Sequence, residues 1–461
     1  MNASSTGPRI ARIVAALALA AACAGCSLLD PYNIIGREGE EAASIPDAYV
    51  PGRIDAPLGR ETRLRAFDFV WDTIDRRYHD PSFNGVDWKA VGERYRPLAL
   101  AAPSDPAFWD VLDRMTGELR DSHTRVESPR DVQLRTRHEA ITLGFTMLPV
   151  EGKLAVATVN PNGDAWWAGV RPGMRVTAID GKPAAQAYAA LLAQSRQAST
   201  DRARFFAAMR RLVMGAEGSK VSFTFDRSDG ERFDATLPRE RIQRPLRETH
   251  RVLPSGFGYL RFSEWSVGLT FRALAALDKL HDTPGIIIDL RGNPGGSVHM
   301  VNAMLERFFT RRTAIGTATT RNGKSVSLLF GTVEIIRLKR EIEGNPNAYR
   351  GPVAILVDGG SASGSELFAG TMQAVGRAKV VGQPSCGCLL GFLGYAKVPG
   401  GAELAYSEVG FVLANGRHVE GEGVIPDVTV PITLSDLSLY RDRTLEAAEA
   451  LLARESTRPP R

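Results

Sequence analysis

The stretch Val357-Asp358-Gly359-Gly360-Ser361-Ala362-Ser363-Gly364-Ser365-Glu366 offers a hydroxyl nucleophile at the place in a chain best suited to use one. Pro352 to Val357 reads as a buried apolar strand, and Leu367, Phe368, Met372 and Val375 recur at helical spacing from Glu366 onward. A serine between them sits beside N–H groups the helix leaves unpaired and at the positive end of its dipole, both suited to an oxyanion. Ser and Gly also gather at helix starts as caps, so the turn counts only with chemical partners elsewhere. One is the apolar strand Gly285 to Asp289, which runs through Leu290-Arg291-Gly292-Asn293-Pro294-Gly295-Gly296 into a helix around Val301 to Phe309 and supplies backbone donors. The others are a histidine just after a helix, in Leu119-Arg120-Asp121-Ser122-His123-Thr124, and carboxylates in the late turn Val419 to Asp427.

In this order, the segments resemble the carboxyl-terminal-processing and tricorn-type serine peptidases over most of residues 61–435. The resemblance implies an α/β fold with a crotonase-like β-α spiral core and makes Ser363 the nucleophile. Ser361 and Ser365 stand as alternatives that read first as capping or packing residues. The family uses two kinds of base. Where one branch carries a lysine, in G-E-x-T-F-G-K-G, this chain has Gly382-Gln383-Pro384-Ser385-Cys386-Gly387-Cys388-Leu389, with Cys388 in the lysine's place. Lys379, in the apolar run Ala378 to Val381, reads as a solvent-facing strand residue. The tricorn-like branch brings Ser and His from the helical part and Glu from the end of the chain, which match Ser122, His123 and Glu420. His123, titrating near neutral pH, is then general base and acid. Ser122, bonded in turn to Glu420, orients it, with Glu422 as the alternative orienter. The oxyanion hole falls to the N–H of Gly364 and that of Gly295 or Gly296. Glu366 reads as a helix cap, and the other histidines as surface or satisfied core residues.

These residues need elements to hold them. Phe67, Val70, Trp71, Ile74 and Tyr78 mark one helix, and Asp105-Pro106 opens a second through Phe108, Leu112, Met115 and Leu119, within a helical domain over 61–135. Residues 138–240 resemble a PDZ domain. Leu143-Gly144-Phe145 matches its carboxylate-binding loop, and Ala165 to Val176 with Ile179-Asp180-Gly181 match its later turns and strands. The peptidase core spans 250–435, and 436–461 form a C-terminal helix and tail.

Arg9 and Arg12 precede an apolar run, Ile13 to Ala24, that ends in Ala24-Gly25-Cys26-Ser27. This reads as a lipoprotein-type signal over 1–25 with lipidation at Cys26, then a tether over 26–60. Ser27 implies sorting to the outer membrane, facing the periplasm. Of the 4 cysteines, Cys386 and Cys388 belong to the folded part. They lie close in sequence for a disulfide, and no neighbouring His or Cys completes a zinc set, so no metal and no cofactor is expected. The formal charge of +5 carries no basic stripe with interleaved aromatics, so nucleic acid is not expected as a partner. The expected function is a serine endopeptidase acting on envelope proteins or peptides, guided by the substrate C-terminus through the PDZ domain. The alternative is a non-catalytic peptide- or lipophile-binding lipoprotein on the same fold. The oligomeric state is left open.

Overall fold

The computed structural model describes residues 57–227, 229–328, 333–391 and 394–456. The expected signal, the tether up to residue 56 and Cys26 lie outside the described residues.

Helices Arg60–Arg77, Trp88–Leu100 and Asp105–Gly117 bury Phe67, Ile74, Tyr95, Phe108 and Leu112 against one another. The middle helix has no counterpart among the expected helices, because Gly92 and Pro97 obscure its periodicity. Gly92 is required there, since a Cβ would stand 2.4 Å from the Trp71 Nε1 packed over it. After Asp105–Gly117 the chain turns at Arg120, whose φ of 52° stops the helix, and leads through His123 into strand Arg125–Glu127. That strand pairs antiparallel with Ala402–Ala405, joining the histidine turn to the late part of the chain.

A second unit is an antiparallel sheet in the order Phe145–Val150, Lys153–Val159, Arg175–Ile179, Lys220–Asp226, Arg232–Pro238. Phe145, Phe223 and Phe225 meet edge to face in its core. Its helix Asp201–Val213, capped by the Thr200 hydroxyl, faces the turn that carries Ser363, with Phe206 and Arg202 near Gly359.

The central sheet runs Glu248–Val252, Gly258–Phe262, Ile286–Asp289, Val353–Val357, Lys379–Gly382, Val428–Thr429, antiparallel at the first pairing and parallel thereafter. Ile286 to Asp289 and Val353 to Val357 are buried on both faces, which is why they read as continuous apolar runs. The expected crotonase-like β-α spiral is corrected here. A spiral needs helix-linked strands in succession, but Thr313–Thr320 pairs antiparallel with Lys339–Ile342 and with Val409–Leu413, forming a separate sheet that ends at Leu390–Gly391. The architecture is therefore one of mixed sheets beside a helical part.

Candidate active site

The strand Val353–Val357 ends at a turn held by its own side chains. Asp358 accepts from the N–H of Gly360 and of Gly292, both at 2.9 Å. Ser361 donates to Leu290 O at 2.8 Å, and Ser365 to Asn293 O at 3.0 Å, so both hydroxyls tie the turn to the neighbouring glycine segment. Both are fully buried, and of the three serines Ser363 is the one that lines the large cavity. Its backbone sits at φ 53°, ψ −114°, a conformation costing roughly 1–3 kcal/mol in a residue with a side chain. Its N–H is held by Glu366 Oε2 and Cys388 O, each at 3.0 Å.

Glu366 organises this turn. Its buried carboxylate also accepts from Gly387 N at 2.7 Å, Cys388 N at 2.9 Å and the Ser385 hydroxyl. Burial raises its pKa against the pull of these donors. Cys386 and Cys388 form a disulfide across this loop, despite their closeness in sequence. Cys388, which stands at the lysine position, is therefore a backbone anchor here. Lys379 is exposed and pairs with Asp427 at 2.9 Å.

Gly295 approaches the Ser363 turn so closely that a Cβ would stand 2.6 Å from Ala362 O and from Gly364 N. Its φ of +96° likewise requires glycine. The Gly295 N–H is donated to Asn293 Oδ1 at 3.0 Å, whereas that of Gly296 has no acceptor among the described residues.

His123 is buried at the edge of the same cavity. Asp121 takes its backbone N–H at 2.8 Å and the Ser407 hydroxyl at 2.6 Å, and Ser407 N in turn donates to Thr124 Oγ1 at 3.0 Å. Burial lowers the His123 pKa to about 4, opposed by Asp121 and assisted by Arg125 and Arg196. Burial alone would raise that of Asp121, but His123 and the hydroxyls of Ser407 and Thr124 hold it below the ordinary carboxylate value. The imidazole is thus neutral at neutral pH, near an ionised carboxylate.

Ser122 and Glu420 are connected through a residue that sequence reasoning missed. Ser199 Oγ donates to Ser122 Oγ at 2.9 Å, Ser122 N returns a bond to Ser199 Oγ at 2.9 Å, and Glu420 is hydrogen-bonded to the same Ser199. Glu420 also accepts from Leu389 N at 2.6 Å. Burial, then the charge of Asp121, raises its pKa well above the ordinary value. Glu422 is exposed. Asp121 was visible in the motif but carried no assigned role, and nothing local to Ser199 marks it, since its partner is 77 positions away.

The cavity measures about 1310 Å³ and is lined by Ser363, Gly364, Gly295, Gly296 and His123, and by Leu143 and Phe145 of the second unit. Gly144 lies between these two, its N–H donated to Thr142 Oγ1 at 3.0 Å. Among the described residues no group of three or more His, Cys, Asp or Glu could hold a metal ion, and no helix is long and apolar enough to cross a membrane.

Residues 256–430 match the model of peptidase family S41, and residues 60–117 that of the tricorn protease C1 domain. The chain is 27% identical over 423 residues to a putative tricorn protease homolog 2 of Streptomyces coelicolor, with 86% of this chain covered but only 33% of that protein. It is 26% identical over 387 residues to the chloroplastic carboxyl-terminal-processing peptidase 2 of Arabidopsis thaliana, covering 78% of this chain and 68% of that one. It therefore spans about a third of the length of the Streptomyces relative. Among solved structures, the photosystem II D1 C-terminal processing protease superposes with a TM-score of 0.53 at 22% identity, covering 86% of this chain and 98% of that one. Mature CPAF superposes with a TM-score of 0.66 at 15% identity, over 86% and 98%. These likenesses carry the fold, including its mixed sheets in place of a spiral.

Proposed function

The chain belongs to the family of carboxyl-terminal-processing and tricorn-type serine peptidases and is a serine-type endopeptidase, and from that premise we propose that Ser363 attacks the scissile carbonyl with His123 as its base. The observation that carries this reading is that Ser363, in a strained backbone conformation, and the neutral His123 line one cavity with the glycine turns. A neutral imidazole can take the Ser363 proton. The imidazolium then formed is stabilised by ionised Asp121 and returns the proton to the leaving amine. The N–H groups of Gly364 and Gly296 stabilise the oxyanion, because that of Gly295 is already given to Asn293.

Ser122 orients His123 through a relay rather than by direct contact with Glu420. Glu420 is hydrogen-bonded to Ser199, which lowers its pKa against the larger effect of burial, and Ser199 is bonded in turn to Ser122. Glu420, Ser199 and Ser122 then form a hydrogen-bonded chain that fixes Ser122 beside the base. Substrates are proteins or peptides. The second unit acts as a PDZ domain that receives an extended substrate end at Leu143, Gly144 and Phe145, with Leu143 and Phe145 on the wall it shares with the cavity. The protein works in the cell envelope, held to the membrane by a lipid on Cys26. Labelling purified protein with a serine-reactive fluorophosphonate tests the assignment: incorporation should vanish in Ser363→Ala. Undiminished labelling in that variant, or none in the wild type, would overturn it and favour a non-catalytic binder.

A further inference from the structure

The charged side chains around the cavity are paired, with one exception. Glu127 holds Arg125 at 2.9 Å and Arg135 at 2.6 Å, Asp131 holds Arg210 at 2.6 Å, and Glu264 lies 3.5 Å from Arg244. Arg340 also lines the cavity, but its guanidinium has no hydrogen-bond or ion-pair partner among the described residues. Partial burial lowers its pKa, and no anion offsets that cost. A guanidinium is a rigid fork matched to carboxylate geometry, and holding one half-desolvated without a partner is unfavourable unless a ligand supplies the anion.

Its place in the sheet says where that anion would lie. Arg340 stands opposite Gly316, which has no side chain to cover it, and on the same face as Ala318 and Phe411, which pair two residues further along and line the cavity too. From Lys339–Ile342 the sheet crosses Thr313–Thr320 and Val409–Leu413 to reach Leu390–Gly391, just after the loop that holds the nucleophile. Three strand steps span about 14 Å, and the three-residue offset from Leu413 to Gly410 adds about 10 Å along the strands, so the path is about 17 Å, roughly five residues of extended peptide.

We propose that Arg340 is a specificity-determining residue, binding a substrate carboxylate roughly five residues from the scissile bond. This rests on the reading that the cavity receives the scissile peptide. The carboxylate is supplied either by an acidic side chain or by the chain terminus.

Binding to the inactive Ser363→Ala protein tests this without turnover, so its failure is distinguishable from a failure of the serine assignment. The probes are fluorescent decapeptide amides of Ala and Ser carrying a single Glu at successive positions, each with a Gln twin, and the neutral decapeptide as free acid and as amide. A charge-assisted pair gives about a tenfold preference for the anionic member of at least one pair. Preference among the Glu and Gln amides identifies a side-chain source, and preference of free acid over amide a terminal one; either supports the proposal. In the Arg340→Gln background the ratio should fall below about twofold, while Arg340→Lys keeps part of it. Lys339→Gln, which removes the same charge from the opposite face of the strand, should keep the tenfold ratio. Equal affinities throughout each pair, or a preference that survives Arg340→Gln, would overturn the proposal. So would a preference lost equally in Lys339→Gln, which would reduce the effect to bulk charge.

Discussion

The proposed base, His123, is buried with its pKa pushed to about 4, which makes a specific demand on pH. The acid limb of kcat/KM in the free enzyme should lie well below the 6.5 of an ordinary imidazole, toward pH 4. Asp121 is the influence that raises the His123 pKa, so Asp121→Asn should move the limb to still lower pH while reducing kcat. A limb at 6.5 in both proteins would mean that another group is titrating. The same depression affects stability. The unfolded chain protonates His123 first as pH falls, so its contribution is complete above about pH 6.5 and lost as pH falls through about 4. Glu420 has the opposite sign. Its folded pKa is raised, so its contribution is complete below the ordinary carboxyl value and lost as pH rises through the folded one. Glu420→Gln mimics the protonated carboxyl and can still donate to Ser199. It should melt higher than wild type at pH 7, with the difference vanishing near pH 4, and should keep far more of kcat than Glu420→Ala. A Gln variant as slow as the Ala variant would require a charged Glu420 in the relay.

At the scale of elements, the disulfide loop joins several parts of the site. Cys388 O holds Ser363 N at 3.0 Å, Cys386 N reaches Ser361 O at 2.9 Å, Gly387 O takes Gly421 N at 2.9 Å and Cys386 O accepts from the Thr200 hydroxyl. A link across so short a loop removes little chain entropy, on the order of 1–2 kcal/mol. Reduction by a dithiol should therefore shift Tm by only a few degrees but lower kcat several-fold, recover on reoxidation, and leave the Cys386→Ser/Cys388→Ser variant unaffected. An unchanged kcat in reduced wild type would show that the backbone bonds suffice. None of this was legible from spacing, which pointed away from a disulfide. What the sequence did reveal is local: the buried strand before Ser363, the helix after it, and the strand before Gly292 all declare themselves through continuous or helical apolar runs. The antiparallel pairing of Thr313–Thr320 with Val409–Leu413 was hidden because it joins distant segments whose alternation is short and partly exposed. Ser199 was hidden for the same reason, since a hydroxyl has no periodicity and acquires its role only when two remote turns meet.

At the scale of the whole molecule, the candidate site belongs to no single unit. His123 follows the N-terminal helices, Ser199 and Arg202 come from the second unit, and Ser363 and Glu420 from the core. Arg202 reinforces the junction by donating to Ser385 O at 2.7 Å and to Glu422 O. If the second unit only tethered substrates, its loss would weaken capture and leave turnover of a short peptide intact. The relay and the Arg202 contacts argue for more, since removing the unit removes one member of the chain that orients the base. Ser199→Ala and Arg202→Ala, which keep the sheet of the unit intact, should each lower kcat by about one to two orders of magnitude, even on a short amidated peptide that offers no C-terminal charge. KM should change little, because neither residue lines the cavity. Double-mutant measurements sharpen this: Ser199→Ala combined with Glu420→Ala should be scarcely worse than the more damaging of the two alone, because both break the same chain. Additive losses, or a kcat untouched by Ser199→Ala, would return the second unit to the role of a tether.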